Sequence, residues 1–259
     1  MLPAIHDSGT GEAILFLHAF TLDASEWDHQ VARLSDGMRC IRVDVWGCGD
    51  SPAPPDAEPA LDGFASAVLQ ALDARNIDRV AVVGLSMGGY LAFALWRLAP
   101  ERIRALVLCN TRAGADTAAS RDDRLAMAER VEREQSVESI VEPMVARLLS
   151  PHAQAEAHIV DPVRGRIRRC TPAGIAFAQR AMAARPDSTA LLASINVPTL
   201  VIAGTQDAII PVPEVLAIAD GIHEARFVAL DCGHLSNLEL PRAVSDELAG
   251  FLVPARMSS

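Results

Sequence analysis

The segment Val80-Ala-Val-Val-Gly84-Leu85-Ser86-Met87-Gly88-Gly89 constrains this chain more than any other. It reads as a short buried strand that turns sharply and enters a helix at once, since the β-branched run stops at Gly84 and a helical pattern, Tyr90–Ala99, follows. A serine at the apex of G-x-S-x-G occupies a strained turn with its hydroxyl presented outward, and the glycines on either side permit the close approach such a turn needs. A serine could serve there simply as a helix cap. That role leaves the flanking glycines without a purpose. A strand feeding a helix in this way belongs to a parallel sheet covered by helices.

The same alternation recurs along the chain. Short apolar, β-prone runs lie at Ala13–Leu17, Cys40–Val45, Arg79–Gly84, Ala105–Cys109, Thr199–Ala203 and Arg226–Leu230. Helical patterns lie between several of them, at Leu61–Ala74, Tyr90–Ala99, Glu214–Ala219 and Arg242–Leu252. This order is that of an α/β chain with a mostly parallel, doubly wound sheet. Almost ninety residues separate Cys109 from Thr199, too many for one crossover helix. Helical composition at Ala115–Gln135, Val137–Leu149 and Thr171–Ala184 predicts an inserted helical cap. The expected organisation is a core of residues 1–112 and 187–259 with a cap at 113–186. The mixed-sign run Arg121–Arg133 reads as a solvated helix face, and Pro52–Ala60 as a surface loop.

Composition narrows the chemistry. The net charge is −10, and all 23 basic residues are arginines. An acidic chain is poorly suited to nucleic acid, and the lack of lysine excludes Schiff-base chemistry on a lysine side chain. Five cysteines (Cys40, Cys48, Cys109, Cys170, Cys232) form no C-x-x-C pair. They suggest neither a disulfide framework nor a zinc site, and favour a reducing, cytoplasmic setting. No secretory signal pattern follows Met1 and no run is long and apolar enough for a membrane span. The expected partner is a small molecule, with no cofactor, metal, nucleic acid or membrane.

A serine hydroxyl needs a base to take its proton, and the base needs an orienting acid. In chains with this nucleophile turn the order is serine, acid, histidine. His234 follows the run Arg226–Leu230 and should emerge at the C-terminal edge of the sheet, where open α/β sheets bind ligands. His223 precedes that run and should lie at the opposite edge. Asp207 follows Thr199–Ala203 at the same edge as His234. Asp231 stands too close in sequence to His234 to orient it easily, and Asp44 and Asp50 follow an earlier strand. The oxyanion needs two donors: the Met87 N–H, next to the serine, and a second from His18-Ala19-Phe20, for which the Phe20 N–H is the candidate. His18 itself is read as structural.

With these residues assembled, the chain resembles the α/β-hydrolase superfamily over nearly its whole length. The matching landmarks are His18-Ala19-Phe20, Asp44-Val-Trp-Gly47-Cys-Gly49-Asp-Ser51, Gly84–Gly88, Pro198–Asp207 and Gly233-His234. Within it, Gly84-Leu-Ser-Met-Gly-Gly, Leu108-Cys-Asn110-Thr111 and His234-Leu-Ser-Asn237-Leu-Glu239-Leu-Pro241 are similar to the 3-oxoadipate enol-lactonase group and its esterase relatives. The resemblance implies the α/β-hydrolase fold, a triad of Ser86, Asp207 and His234, and an oxyanion hole of Phe20 and Met87. It departs in having Ala19 where relatives have glycine, and in an N-terminus with room for one strand where they often have a hairpin. Carbon–carbon hydrolases and perhydrolases share this triad, whereas dehalogenases place aspartate at the nucleophile.

The expected reaction is hydrolysis of a small carboxylic ester or lactone through an acyl-enzyme on Ser86, with the enol-lactone as a narrower alternative. A ligand receptor on the same fold is the non-enzymatic rival. Pocket walls are expected from Trp27, Met144, Leu148 and Leu235. Val141, Met144, Val145 and Leu148 form one helical stripe, a pattern that more commonly packs on the core.

Overall fold

The computed structural model describes residues 1–253. Strands β1 (Ile5–Ser8), β2 (Ala13–Leu17), β3 (Arg39–Val43), β4 (Val80–Leu85), β5 (Ile103–Cys109), β6 (Thr199–Gly204) and β7 (Arg226–Leu230) form one sheet. Their order across it is β1-β3-β2-β4-β5-β6-β7. Only the β1–β3 pair is antiparallel; the other five are parallel. Every residue of β2, β4 and β6 is buried. This is why these strands read as unbroken apolar runs instead of alternating ones: both sheet faces are covered. Edge strand β7 is half-exposed.

The connecting helices are α1 (Asp28–Leu34), α2 (Leu61–Asp73), α3 (Met87–Leu98), α8 (Val212–Gly221), α9 (Ser236–Glu239) and α10 (Pro241–Leu252). Helix α2 buries Leu61, Phe64, Ala65, Val68 and Leu72, a stripe at helical spacing, and packs against α3. Helix α1 packs against α10. Between β5 and β6 lies an inserted helical subdomain: α4 (Ala118–Glu134), α5 (Glu138–Leu148), α6 (Ala157–Arg168) and α7 (Pro172–Ala183). Its strongest internal contact is α4 on α7. Helix α6 is absent from the sequence expectation because Pro162 and Gly165 look like breakers, yet the helix runs through both.

One expectation is overturned. Cys48 and Cys170 are joined by a disulfide, 122 residues apart in sequence. It ties the Gly47–Gly49 turn to the start of α7, where the Thr171 N–H also donates to the Gly47 carbonyl at 2.7 Å. The remaining three cysteines are free and buried. With two of the five cysteines paired, unpaired cysteines no longer support a reducing compartment. Among the described residues no helix is long and apolar enough to cross a membrane.

Candidate active site

Five chain segments arrive at the C-terminal edge of the sheet and meet there: the loops after β2, β4, β5, β6 and β7. Ser86, directly after β4, has φ 56° and ψ −112°, a backbone strain that lifts its side chain clear of both strand and helix. The strain is held from both sides. The Ser86 N–H donates to the Cys109 carbonyl at 3.0 Å, and its carbonyl accepts from Thr111 Oγ1 at 2.9 Å and from the N–H groups of Gly89 and Tyr90. Gly88 is required for contact, since a Cβ there would stand 2.1 Å from the Leu17 carbonyl oxygen. This close approach brings the first turn of α3 against the end of β2, and so sets Ser86 beside the loop that follows β2.

His234 is buried, and its Nδ1 lies 2.7 Å from Asp207 Oδ2. Asp207 is gripped by donors on both oxygens: Asn110 Nδ2 to Oδ2 at 3.0 Å, and the N–H groups of Ile209 and Ile210 to Oδ1 at 2.8 and 3.0 Å. Burial alone would push its pKa up, but His234, the Ile210 N–H and Asn110 together hold it below the ordinary carboxylate range. An ionised Asp207 fixes the proton on Nδ1 and leaves the Nε2 lone pair for the serine. Ser86 and His234 line the same cavity. His234 is further anchored by its N–H to the Leu148 carbonyl at the end of α5, and the adjacent Gly233 N–H by Glu239 at 3.0 Å. Cys232, two residues away, is no rival nucleophile, for burial pushes its thiol up to about 12. His223 is exposed and precedes β7, at the other edge.

The loop after β2 is set by His18. Its Nε2 accepts the Val45 N–H at 2.9 Å, so the proton sits on Nδ1 and is donated to the Ala19 carbonyl at 2.8 Å. Burial holds this imidazole below its usual pKa and therefore neutral. With its carbonyl turned to His18 and to the Leu22 N–H, the trans peptide following Ala19 directs the Phe20 N–H the opposite way. Neither the Phe20 nor the Met87 N–H has a hydrogen-bond partner among the described residues. Two unspent donors flank Ser86, an arrangement able to stabilise an oxyanion. The methyl of Ala19 is accommodated without strain: it is fully buried, and the left-handed residue of the loop is Thr21, at φ 70°.

The cavity in front of Ser86 is walled by Phe20, Tyr90, Met144 and Leu148, and by a polar group that the sequence did not point to: Arg112, Arg124, Arg147 and Gln179. Of the α5 stripe, Met144 and Leu148 face the cavity, while Val141 and Val145 are buried away from it. Trp27 and Leu235 do not line it. The 3-10 turn Ala24–Trp27 rotates the indole into the core against Phe16, ring centroids 5.3 Å apart. Leu235 is fully buried, drawn inward as its N–H bonds the Leu148 carbonyl. The Arg121–Arg133 run is not wholly a solvated face either, since Asp123 and Arg124 turn to the cavity. Arg112 was within reach of sequence reasoning, for it follows β5 at the ligand edge. Arg124 and Arg147 sit on helices whose facing depends on α7 and the sheet.

A family model described as the alpha/beta hydrolase fold matches residues 12–241. The chain is 31% identical to 3-oxoadipate enol-lactonase 1 of Acinetobacter baylyi over 241 residues, 93% of this chain and 88% of that protein. It superposes on a thermophilic esterase from Thermogutta terrifontis, malate bound, with a TM-score of 0.92 at 36% identity, covering 96% of this chain and 92% of the other. The enol-lactonase from Burkholderia xenovorans LB400 gives a TM-score of 0.89 at 28% identity, covering 97% and 96%.

Proposed function

Because this chain belongs to the α/β-hydrolase fold family, we propose that it is a serine hydrolase cleaving a small carboxylic ester or lactone through an acyl-enzyme on Ser86. The observation that carries this reading is the buried Asp207–His234 pair opening onto the same cavity as the strained Ser86, with two unspent N–H donors beside it. Ser86 Oγ attacks the carbonyl carbon while His234 Nε2 takes its proton, and the carbonyl oxygen becomes an anion between the Phe20 and Met87 N–H groups. Collapse breaks the bond to the alkoxide, which leaves with the proton from His234. Water, deprotonated by the same nitrogen, then attacks the acyl-serine and frees the acid and Ser86. Residues 113–186 act as the cap that closes this cavity.

A fluorophosphonate probe is expected to label the folded protein at Ser86 alone, and p-nitrophenyl acetate and butyrate to be turned over. A folded protein that neither labels nor turns over either ester is instead a ligand receptor on a hydrolase fold.

One observation favours the narrower enol-lactone reading: of the arginines lining the cavity, Arg112 and Arg124 are paired with Asp116, but Arg147 is not. Arg147 makes no ion pair among the described residues, so it is free to meet a carboxylate on the substrate. Its likeness to two enol-lactonases supports the same direction. Arg147→Gln should raise KM for 3-oxoadipate enol-lactone about tenfold, the worth of one charge-assisted contact, and leave KM for p-nitrophenyl butyrate unchanged. A wild-type enzyme whose kcat/KM strongly favours the neutral ester rejects this reading.

A further inference from the structure

Behind the oxyanion loop lies a carboxyl group that the mechanism above does not use. Glu26 is fully buried. One of its oxygens, Oε2, accepts the Ala19 N–H at 2.8 Å. The other, Oε1, is buried with no hydrogen-bond partner. The Asn237 amide faces this segment and donates its Nδ2 to the Glu26 backbone carbonyl at 3.1 Å. Oε1 thus stands in a dry region with no hydrogen-bond donor to stabilise a charge on it, a setting that favours the protonated carboxyl.

Ala19 is therefore held through both of its backbone groups: Glu26 accepts its N–H, and His18 and the Leu22 N–H donate to its carbonyl. The next N–H along the chain belongs to Phe20. We propose that Glu26 is a positioning residue for the oxyanion hole that works in its neutral, protonated form, and that its ionisation at alkaline pH suppresses turnover. This rests on the serine-hydrolase reading. A neutral carboxyl fixes the loop without adding charge, whereas a carboxylate would place a negative charge one residue behind the donor that must receive a developing anion.

The surroundings support this protonation. Burial pushes the Glu26 carboxyl up to about 8, against the pull of the Ala19 N–H, Arg166 and Asn237. The charged and titratable groups facing it are Asp23 on its own segment, His18 on the β2 loop, Cys109 on β5 and Arg166 on α6. Arg166 is occupied by Ser25, donating to its Oγ and carbonyl at 2.9 and 3.0 Å. His18 is held neutral and the Cys109 thiol is raised beyond the working range. From α9, which covers the carboxyl, only the neutral Ser236 and Asn237 are contributed.

The test is the pH profile of kcat on p-nitrophenyl butyrate between pH 6 and 9.5 for wild type, Glu26→Gln and Glu26→Leu. Wild type should lose roughly tenfold in kcat with a midpoint near pH 8, at constant KM, the size set by a like charge a few ångströms behind the oxyanion. Glu26→Gln keeps an acceptor for Ala19 and cannot ionise. It should abolish that alkaline loss and recover most of what Glu26→Leu forfeits at neutral pH. Glu26→Leu should lower kcat at every pH by about tenfold, less than the loss of an oxyanion donor outright, again at constant KM. An alkaline loss that persists in Glu26→Gln, or a wild type with no such loss, overturns the proposal, and does so even if the leucine variant does not fold. A wild type inert to both ester and fluorophosphonate overturns the underlying reading instead.

Discussion

Alanine at Ser86 or at His234 is expected to lower kcat on p-nitrophenyl butyrate by about 10⁶-fold, and asparagine at Asp207 by about 10⁴-fold. The losses should not add: the Ser86→Ala, His234→Ala double variant should be no slower than either single one, because an unactivated serine and a base without a nucleophile are equally idle. The Asp207→Asn effect follows from the donors around that carboxyl. All four groups that meet it, His234 Nδ1, Asn110 Nδ2 and the N–H groups of Ile209 and Ile210, donate. An asparagine has one oxygen to offer them. If the oxygen turns to Ile209 and Ile210, the amide NH₂ faces His234 and drives the proton to Nε2, where it blocks transfer from Ser86. If the oxygen turns to His234, the NH₂ confronts two backbone N–H groups and the loop after β6 must shift. Either outcome leaves a folded protein with little turnover. Unaltered melting with kcat within tenfold of wild type in His234→Ala would remove this histidine from the chemistry.

The reasons these three residues were legible in the sequence are geometric. In a parallel sheet every βα loop opens at one edge, so a serine after β4, an aspartate after β6 and a histidine after β7 are brought together by topology alone. The apolar runs of β2, β4 and β6 were legible because burial on both faces removes alternation. What escaped depends on tertiary facing. A large apolar residue such as Trp27, in the connection after β2 near the site, reads equally as wall or core, and only the 3-10 turn Ala24–Trp27 decides for the core. The Cys48–Cys170 bond joins positions whose proximity arises when α7 docks on the Gly47 turn. Arg124 belongs to a charge run in which nearly every face is polar, so periodicity has no apolar stripe to orient it; its direction is set by Gln179 of α7 at 3.0 Å and by Asp116.

Asp116 carries the second large expectation, this one in stability. Its side chain is fully buried and receives three guanidinium groups: Arg112 at 2.8 Å, Arg124 at 2.6 Å and Arg185 at 2.7 Å. Arg112 comes from the loop after β5, Arg124 from α4 and Arg185 from beyond the end of α7, so one carboxylate ties the chain's entry into the inserted helices to its exit. Arg185 also lies over the Tyr90 ring, 4.1 Å from its centroid, linking this knot to the helix that begins at Ser86. Removing one member of a buried charge cluster leaves the others uncompensated, a cost of about 3–5 kcal/mol. Asp116→Ala should accordingly lower Tm by roughly 10 °C at pH 7 in a domain of this size. The pH dependence has a definite sign. Burial opposes ionisation, but Arg185 and Arg124 overcome it and bring the Asp116 carboxyl down to about 2. A carboxylate whose folded value lies below its unfolded one contributes its full stabilisation above the ordinary range near 4, and loses it as pH falls toward 2. The Tm gap between wild type and Asp116→Asn, a mimic of the protonated state, should be widest near neutrality and close as pH approaches 2. A gap that stays constant down to pH 2 would mean that Asp116 acts through shape and not charge. Because the same carboxylate pairs with Arg112 and Arg124, which line the cavity, Asp116→Asn should also raise KM for an anionic lactone while sparing a neutral ester, which separates displacement of these arginines from general loosening of the inserted helices.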